Sequence, residues 1–145
     1  MATINPYLNF NGNTEEAFDF YKSVFGGEYT MLIRFKDMPA NSESPISESD
    51  ADKIMHIALP VGNGNLLMAT DFLESMGHKM TEGNRYSVSI SAGSLAEAEK
   101  LYLGLSKDGQ VELPLAESSW GSYFAMFKDK FGIQWMVDFD PKYLG

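Results

Sequence analysis

The sequence contains no cysteine and only two histidines among its 145 residues. Disulfides, thiolate metal sites and cysteine nucleophiles are therefore excluded, and the absence of cysteine suits a cytoplasmic protein. Basic residues are also scarce, since 11 Lys and Arg face 20 Asp and Glu for a net charge of −9. This balance argues against a nucleic-acid partner, whose phosphates require a basic surface. It is compatible with a neutral or cationic small ligand.

Long hydrophobic runs are missing as well. No apolar run approaches the roughly 20 residues of a membrane helix, so no membrane partner is predicted. Residues 1–6 have neither a basic flank nor a long apolar region, which does not fit a secretory signal. The chain is nevertheless 44% hydrophobic and 13% aromatic. That composition is enough to bury a core and excludes global disorder.

A capped helix occurs twice in the chain. In residues 13–27, Asn13 is expected to cap the first free N–H groups, and Gly26 accepts the left-handed backbone that ends a helix. Residues 94–106 repeat the pattern 81 residues later (94 − 13), starting with a capping box of Ser94 and Glu97. The predicted apolar stripes are Ala17, Phe20, Tyr21 and Val24, and Ala98, Leu101, Tyr102 and Leu105. Such a repeat predicts two copies of one unit.

The residues around each helix read as strands. Runs of β-branched and aromatic residues predict strands at 6–10, 28–35, 54–61, 66–70, 87–91, 110–116, 123–127 and 133–139. Each half is then strand–helix–three strands. We predict an α+β fold of two βαβββ modules forming a curved mixed sheet or half-barrel with the helices outside. One domain, 1–145, would comprise module 1 at about 1–71, a linker at 72–85 and module 2 at about 86–145.

The segment 36–52 shows no period and is rich in Ser, Asp and Glu. It also contains Pro39 and Pro45. We expect it to form a mobile loop near the mouth of a pocket, because its composition cannot repay the entropy of ordering by burial.

The chain resembles the vicinal oxygen chelate superfamily of glyoxalase I, extradiol dioxygenases and bleomycin-resistance proteins, and within it the PhnB-like group. Six short motifs carry this resemblance: Pro6-Tyr7-Leu8-x-Phe10, Gly12-Asn13-x-Glu15-x-Ala17-x-x-Phe20-Tyr21, Phe25-Gly26-Gly27, His56-x-x-Leu59, Leu67-Met68-x-x-Asp71 and Asp129-x-Phe131-Gly132-x-x-Trp135. The resemblance covers nearly the whole chain. It implies a homodimer with a pocket on the concave face of each sheet.

The resemblance also implies four metal-ligand positions, on the first and fourth strand of each module. In this chain they fall near Pro6, Met68, Ser87 and Met136, and none is the His, Gln or Glu that family enzymes use there. A hard divalent cation needs imidazole or carboxylate donors. Shifting the alignment by one residue is no better, since it gives Tyr7, Val88, Leu67 and Trp135, or Asn5, Tyr86, Ala69 and Val137. We therefore predict no metal site and no cofactor.

Three titratable residues are candidates for a site. Strand alternation places His56 with Ala58, either in the cavity or on the outer face, so it is either a ligand contact or base, or a structural histidine. Asp71 ends a strand and is either a site acid or a cap. His78 falls in the linker and is expected to be solvated.

The remaining candidates are apolar residues with a few hydrogen-bonding neighbours. We predict that Leu8, Phe10, Leu66, Met68 and Met136 share the ligand-bearing faces with Thr70, Ser87, Ser89, Gln134 and Asp138. An apolar wall with a few polar groups is typical of a small-molecule site, and a filled core is the alternative. Trp120, in a loop between Ser119 and Gly121, is a candidate for the rim.

We therefore predict a metal-free protein that binds a small organic molecule in the concave sheet cavity. The predicted ligand-binding residues are His56, Met68, Thr70, Trp120, Gln134 and Met136. The alternative, from fold analogy, is a metal-dependent lyase, isomerase or dioxygenase acting on a vicinal-oxygen substrate. The label demethylubiquinone methyltransferase, also attached to the PhnB-like group, finds no support, because no glycine-rich strand-to-helix turn for a methyl-donor nucleotide is present.

Overall fold

A computed structural model describes residues 2–38 and 46–143. The chain divides into two compact units, residues 1–81 and 82–145. Each unit contains one four-stranded mixed sheet and one long helix. This confirms the α+β class and the two βαβββ modules. None of the helices in the described ranges has both the length and the apolar character needed to cross a membrane.

The first unit contains four strands and two helices. They are β1 (Tyr7–Phe10), α1 (Thr14–Phe25), β2 (Met31–Arg34), α2 (Glu48–Ala51), β3 (Ile54–Val61) and β4 (Asn65–Asp71). β1 runs parallel to β4, whereas β3 pairs antiparallel with both β4 and β2. Helix α1 covers one face of this sheet, and its buried stripe contains Phe18 where the sequence predicted Phe20. Phe10 at the end of β1 packs its ring against Phe18 and Tyr21.

The cap of α1 differs from the prediction. Asn13 makes no side-chain cap hydrogen bond. Instead, Thr14 donates both its backbone N–H (3.0 Å) and its hydroxyl (2.6 Å) to Oδ1 of Asp71 at the end of β4. Oδ2 of the same carboxylate accepts the N–H of Ile54 at 2.8 Å. A carboxylate distant in sequence thus fixes the start of α1 and the start of β3 together. The other end follows the prediction, because Gly26 has φ +80° and donates its N–H to the carbonyl of Lys22.

The second unit repeats this order with β5 (Val88–Ser91), α3 (Leu95–Leu105), β6 (Gln110–Glu117), β7 (Tyr123–Lys128) and β8 (Gln134–Phe139). The predicted capping box of α3 is present. Ser94 Oγ accepts the N–H of Glu97 at 3.1 Å, and Glu97 Oε1 accepts the N–H of Gly93 at 2.9 Å. Gly109 follows α3 where a Cβ would clash with the carbonyl oxygen of Lys128, so only glycine allows the helix to return to the sheet edge.

The first strands depart from the offset of 81 that relates the helices. Tyr7 lies opposite Met68, whereas Ser89 lies opposite Met136, so these strands match at an offset of 82 (89 − 7). A shift of one residue exchanges the two faces of a strand. Leu8 and Phe10 therefore lie on the face covered by α1, and the prediction that they share a face with Met68 is wrong. The predicted grouping of Ser89 with Met136 is correct.

Part of the predicted mobile loop, residues 39–45, lies outside the described residues. The described ends of 36–52 contain more structure than predicted, with a 3-10 turn at Phe35–Asp37 and the short helix α2. Asp50 of α2 is buried and bonds to Lys53 Nζ at 2.8 Å and to Ser75 Oγ at 3.0 Å. These contacts attach this end of the segment to the turn at Glu74–Met76.

Candidate functional site

Each sheet has a second face, opposite its long helix, which we call the first and second open face. The strand register determines which residues lie on the first open face. Leu67 and Ala69 alternate with Asp71, which caps α1, and they pair with Leu59 and Ile57, so these residues face the helix and their neighbours in the strands point the other way. Across the three strands β1, β4 and β3, the first open face therefore contains Tyr7, Asn9, Met68, Thr70, His56 and Ala58.

The polar centre of the first open face is a contact between Tyr7 and His56. The phenol oxygen of Tyr7 lies 3.1 Å from Nδ1 of His56. Their rings are stacked, with centroids 5.7 Å apart and an angle of 28° between the planes. The contact passes across β4, from β1 on one side to β3 on the other. It gathers an aromatic ring, an imidazole and the neighbouring side chain of Met68 into one patch.

Burial governs the ionisation of the phenol in this patch. It raises the pKa of Tyr7 above its usual value, while the nearby hydroxyl of Thr70 acts in the opposite direction. At neutral pH the phenol therefore keeps its proton and can donate it in a hydrogen bond. His56 is half-buried beside it.

The second open face is more polar. Ser89 lies opposite Met136, and Ser91 lies opposite Asp138. The hydroxyl of Ser91 donates to Oδ1 of Asp138 at 2.9 Å, and that of Ser87 donates to Oε1 of Gln134 at 3.4 Å. On the second open face, serine hydroxyls, an amide and a carboxylate thus surround Met136. On the first, a phenol and an imidazole lie beside Met68.

The six predicted ligand-binding residues fall into three places. His56, Met68 and Thr70 come together on the first open face. Gln134 and Met136 share the second. Trp120 lies on neither, but in the loop between β6 and β7, with 69% of its surface exposed. Hydrogen bonds between Ser118 and Ser122 close that loop around it.

Tyr7 is the site residue that the sequence reasoning missed. The sequence offers Tyr7 only as a neighbour, one residue away, of an expected metal-ligand position, because the helix repeat predicts that Leu8 and Phe10 face the site. The signal that could have found it is Asp71. A cap of α1 at the end of β4 requires the residue paired with it, Phe10, to face the helix, which turns Tyr7 and Asn9 the other way.

Two other candidates have structural roles. Asp71 is 1% exposed and its oxygens are occupied by Thr14 and Ile54, so it is a cap and not a site acid. His78 is half-buried and not solvated as predicted. Its Nδ1 accepts the N–H of Leu73 at 3.1 Å, and its ring lies 4.9 Å from that of Phe72.

The donor set on the open faces does not fit the divalent metal that the resemblance to the vicinal oxygen chelate superfamily implies for enzymes. The residues around Met68 and Met136 offer thioethers, hydroxyls, two amides, one imidazole whose Nδ1 is already engaged by Tyr7, and a single carboxylate, that of Asp138, whose Oδ1 accepts from Ser91. Across residues 2–38 and 46–143, no group of three or more His, Cys, Asp or Glu side chains is arranged to hold a metal ion. Hard cations prefer carboxylates and free imidazoles.

The chain is similar in sequence and fold to proteins of known structure. The sequence model of the family described as 3-demethylubiquinone-9 3-methyltransferase matches residues 2–138. Protein PA1353 from Pseudomonas aeruginosa is 37% identical, with a TM-score of 0.84 over 97% of this chain and 98% of that one.

Two more distant structures share the fold. A PhnB protein from Bacillus cereus is 24% identical, with a TM-score of 0.73 over 95% of this chain and 99% of its own. A glyoxalase/bleomycin resistance protein/dioxygenase family enzyme from Burkholderia phytofirmans PsJN is 16% identical, with a TM-score of 0.58 over 92% and 95%. At such identities these two likenesses show the fold alone. Together with the family match, they confirm the resemblance inferred from the six motifs.

Proposed function

The chain belongs to the family described as 3-demethylubiquinone-9 3-methyltransferase, within the PhnB-like group of the glyoxalase/bleomycin-resistance fold, and from this premise we propose that it binds a small organic molecule on its open sheet faces without a metal ion. The observation that carries the proposal is the Tyr7–His56 contact beside Met68. Small-molecule sites combine apolar walls with a few placed polar groups, and this patch has both. Methionine adds a side chain that adapts to ligands of different shape.

The strand-to-helix connections argue against methyl transfer, the activity in the family's name. Nucleotide-type cofactors are held where a strand enters a helix through a glycine-rich turn. The connection from β1 to α1 is Asn11-Gly12-Asn13, and that from β5 to α3 is Ala92-Gly93-Ser94, each with a single glycine. At the first of these connections, the backbone N–H of Thr14, which opens α1, is bonded to Asp71 and is not available to a ligand. Neither turn is built to receive a phosphate or a methyl-donor nucleotide.

The first experiment tests the metal-free part of the proposal. We expect protein purified without chelator to contain no stoichiometric nickel, zinc, iron or manganese by elemental analysis. The matched control is His56→Gln, which removes the one imidazole of the first open face. One bound equivalent of any of these metals in the wild type, lost in His56→Gln, would refute the proposal. It would favour a metal-dependent lyase, isomerase or dioxygenase acting on a vicinal-oxygen substrate.

The second experiment tests ligand binding directly. With 13C-methyl methionine labels, we would titrate the protein with acetophenone, phenol and 1-phenylethylamine as small aromatic probes. At least one probe is expected to shift the methyl signal of Met68 or Met136. Met76, in a turn outside both sheets, is the internal control and should not move. If all three probes leave Met68 and Met136 unmoved at millimolar concentration, the proposed function fails.

The assembly and location that we propose are a homodimer in the cytoplasm. In the second sheet, β6 is an edge strand whose Val111 and Leu113 are exposed. Exposed apolar residues on a sheet edge favour coverage by another chain, and a second copy is the simplest partner. Light scattering at micromolar concentration should give the mass of two chains, and the mass of one chain would refute the dimer.

A further inference from the structure

The imidazole of His56 has one engaged and one available nitrogen. Nδ1 lies 3.1 Å from the phenol oxygen of Tyr7. Within the described part of the chain, Nε2 has no hydrogen-bond partner, and no side-chain nitrogen or oxygen there is both sealed from solvent and unpaired. Nε2 is therefore open to a molecule arriving at the first open face.

The partner of Nδ1 decides which nitrogen carries the proton. A neutral imidazole has one N–H donor and one acceptor nitrogen. A phenol keeps its proton at neutral pH, and the pKa of Tyr7 lies above its usual value, so its O–H can donate to Nδ1. The 3.1 Å contact allows either direction, and when the phenol donates to Nδ1 the imidazole proton is on Nε2. In that arrangement the first open face presents an N–H donor beside the thioether of Met68.

We propose that Tyr7 acts as a positioning residue, which holds His56 in the tautomer whose Nε2–H donates to the neutral carbonyl oxygen of an apolar ligand. This inference rests on the proposed function, since it names the ligand class for the first open face. Tyr7 sets the tautomer, Nε2 supplies the hydrogen bond, and the half-buried Met68 contacts the apolar body of the ligand.

The charged residues around the first open face favour a ligand whose hydrogen-bond acceptor is neutral. Strands β1, β3 and β4 contain no Lys or Arg, so no cation on them would hold a carboxylate. The nearest cation along β2 is Arg34, and its guanidinium is engaged by both oxygens of Glu15, at 3.0 and 2.6 Å. The net charge of −9 further disfavours anions. A ligand ammonium is disfavoured in turn, because it cannot accept a hydrogen bond from Nε2–H.

The second histidine provides an internal reference for the tautomer. Nδ1 of His78 accepts a backbone N–H, that of Leu73. A backbone amide can only donate, so His78 must carry its proton on Nε2 whenever it is neutral. Long-range 1H–15N correlation spectra at pH 8 distinguish the two tautomers, and the chain has only these two histidines. We expect both to show the Nε2–H pattern in the wild type.

The variant Tyr7→Phe keeps the ring and removes the donor. We expect His56 to move to a mixture of tautomers in this variant, while His78 is unchanged. Acetophenone, which accepts but does not donate, should shift the Nε2–H signal of His56 in the wild type. Its affinity for Tyr7→Phe should fall by the fraction of His56 that leaves the Nε2–H form, about twofold for an equal mixture. The matched control is Tyr86→Phe, because Tyr86 is 85% exposed and lies outside both sheets.

Three results would overturn the inference. One is the Nδ1–H pattern for His56 in the wild type. Another is equal affinity for acetophenone and for 1-phenylethylamine, which has the same shape but carries an ammonium. The third is a shift of the Met68 methyl by acetophenone with no change at His56, in which case the proposed function stands. If none of the aromatic probes moves Met68, Met136 or His56, the proposed function fails as well.

Discussion

The two units begin their long helices in different ways. Helix α3 makes its own cap, because Ser94 and Glu97 stand within one turn of the N–H groups they bind. Helix α1 takes its cap from Asp71, 57 residues away in sequence. The local cap forms as soon as the helix does, whereas the distant one requires β4 to be in place. The start of α3 is thus stabilised by residues of the helix itself and its cap, whereas the start of α1 is stabilised only when β4 is folded against it.

The distant cap also has consequences for the site. Because Asp71 holds both Thr14 and Ile54, it fixes α1, β3 and β4 relative to one another. His56 lies two residues beyond Ile54, and Tyr7 lies on the strand paired with β4. The distance between His56 and Tyr7 therefore depends on a carboxylate on the opposite face of the sheet. On the second open face the hydrogen bonds join the adjacent strands β5 and β8, so the pairing of these two strands is enough to set their distances.

The largest expected effect is that of removing the distant cap. In Asp71→Asn the amide can still accept from Thr14, but its NH2 group faces the N–H of Ile54, which leaves two buried donors opposed. We expect a loss of about 3 kcal/mol in the free energy of unfolding. Guanidinium denaturation followed by circular dichroism measures it. The control is Asp138→Asn, which keeps the acceptor for Ser91 and should change stability by less than about 0.5 kcal/mol. Equal effects of the two substitutions would contradict the assignment of Asp71 as the buried cap of α1.

A second prediction compares the two open faces through their methionines. Glutamate at Met68 would lie beside Tyr7 and Ala58, whereas at Met136 it would lie beside Ser89, which can donate to it. We expect Met68→Glu to cost about 2 kcal/mol at pH 7 and Met136→Glu about 1. Desolvation raises the folded-state pKa of such a carboxyl above its unfolded value of about 4.3, so the penalty should disappear as the pH falls below about 4.

Denaturant melts at pH 7 and pH 4 measure this difference, with Met68→Gln and Met136→Gln as uncharged controls. A penalty for Met68→Glu that is the same at both pH values would show that Met68 does not lie in a desolvated patch. A larger penalty at Met136 than at Met68 would reverse the assigned polarity of the two faces.

A third prediction concerns the local cap. Ser94→Ala removes the acceptor for the N–H of Glu97 and should destabilise the protein by about 1 kcal/mol. The matched substitution in the first unit is Asn13→Ala. It should have an effect below about 0.5 kcal/mol, because Asn13 makes no cap bond. Thermal denaturation of the two variants compares them directly, and a larger loss for Asn13→Ala would contradict the assignment of Asp71 as the cap of α1.

The smallest expected effect is a pH dependence in the first unit. The hydrogen bonds and charge of Arg34 hold the pKa of Glu15 below its usual value. A lowered carboxyl pKa contributes stability that is present above the unfolded pKa of about 4.3 and lost as the pH falls through the folded one. The side chains are partly exposed, so the contribution should be below about 1 kcal/mol. Wild type should therefore lose more stability than Arg34→Met between pH 6 and pH 3, and equal losses would show that the pair contributes nothing.

Much of the fold could be predicted from the sequence because it depends on residues close together in the chain. The capping box of α3, the glycine that ends α1 and the strand–helix–three-strand order follow from spacing and turn chemistry. The grouping of His56 with Ala58, and of Gln134 with Met136 and Asp138, follows from alternation within one strand. Met68 follows instead from the resemblance, which implies a ligand position there, and alternation leaves His56 either in the cavity or on the outer face.

The sequence by itself thus determined the family, the modules and the faces within single strands. Only the tertiary structure decided which residue caps α1, which face of β1 carries Tyr7 and which nitrogen of His56 is engaged. The physical reason is register: the repeat of the helices suggests an offset of 81, and the pairing of the first strands obeys 82 (89 − 7). One residue of difference turns every side chain of a short strand to its other face. Hydrogen bonds between strands distant in the chain decide between the two offsets. The residue pattern of a single strand therefore does not predict which offset is adopted.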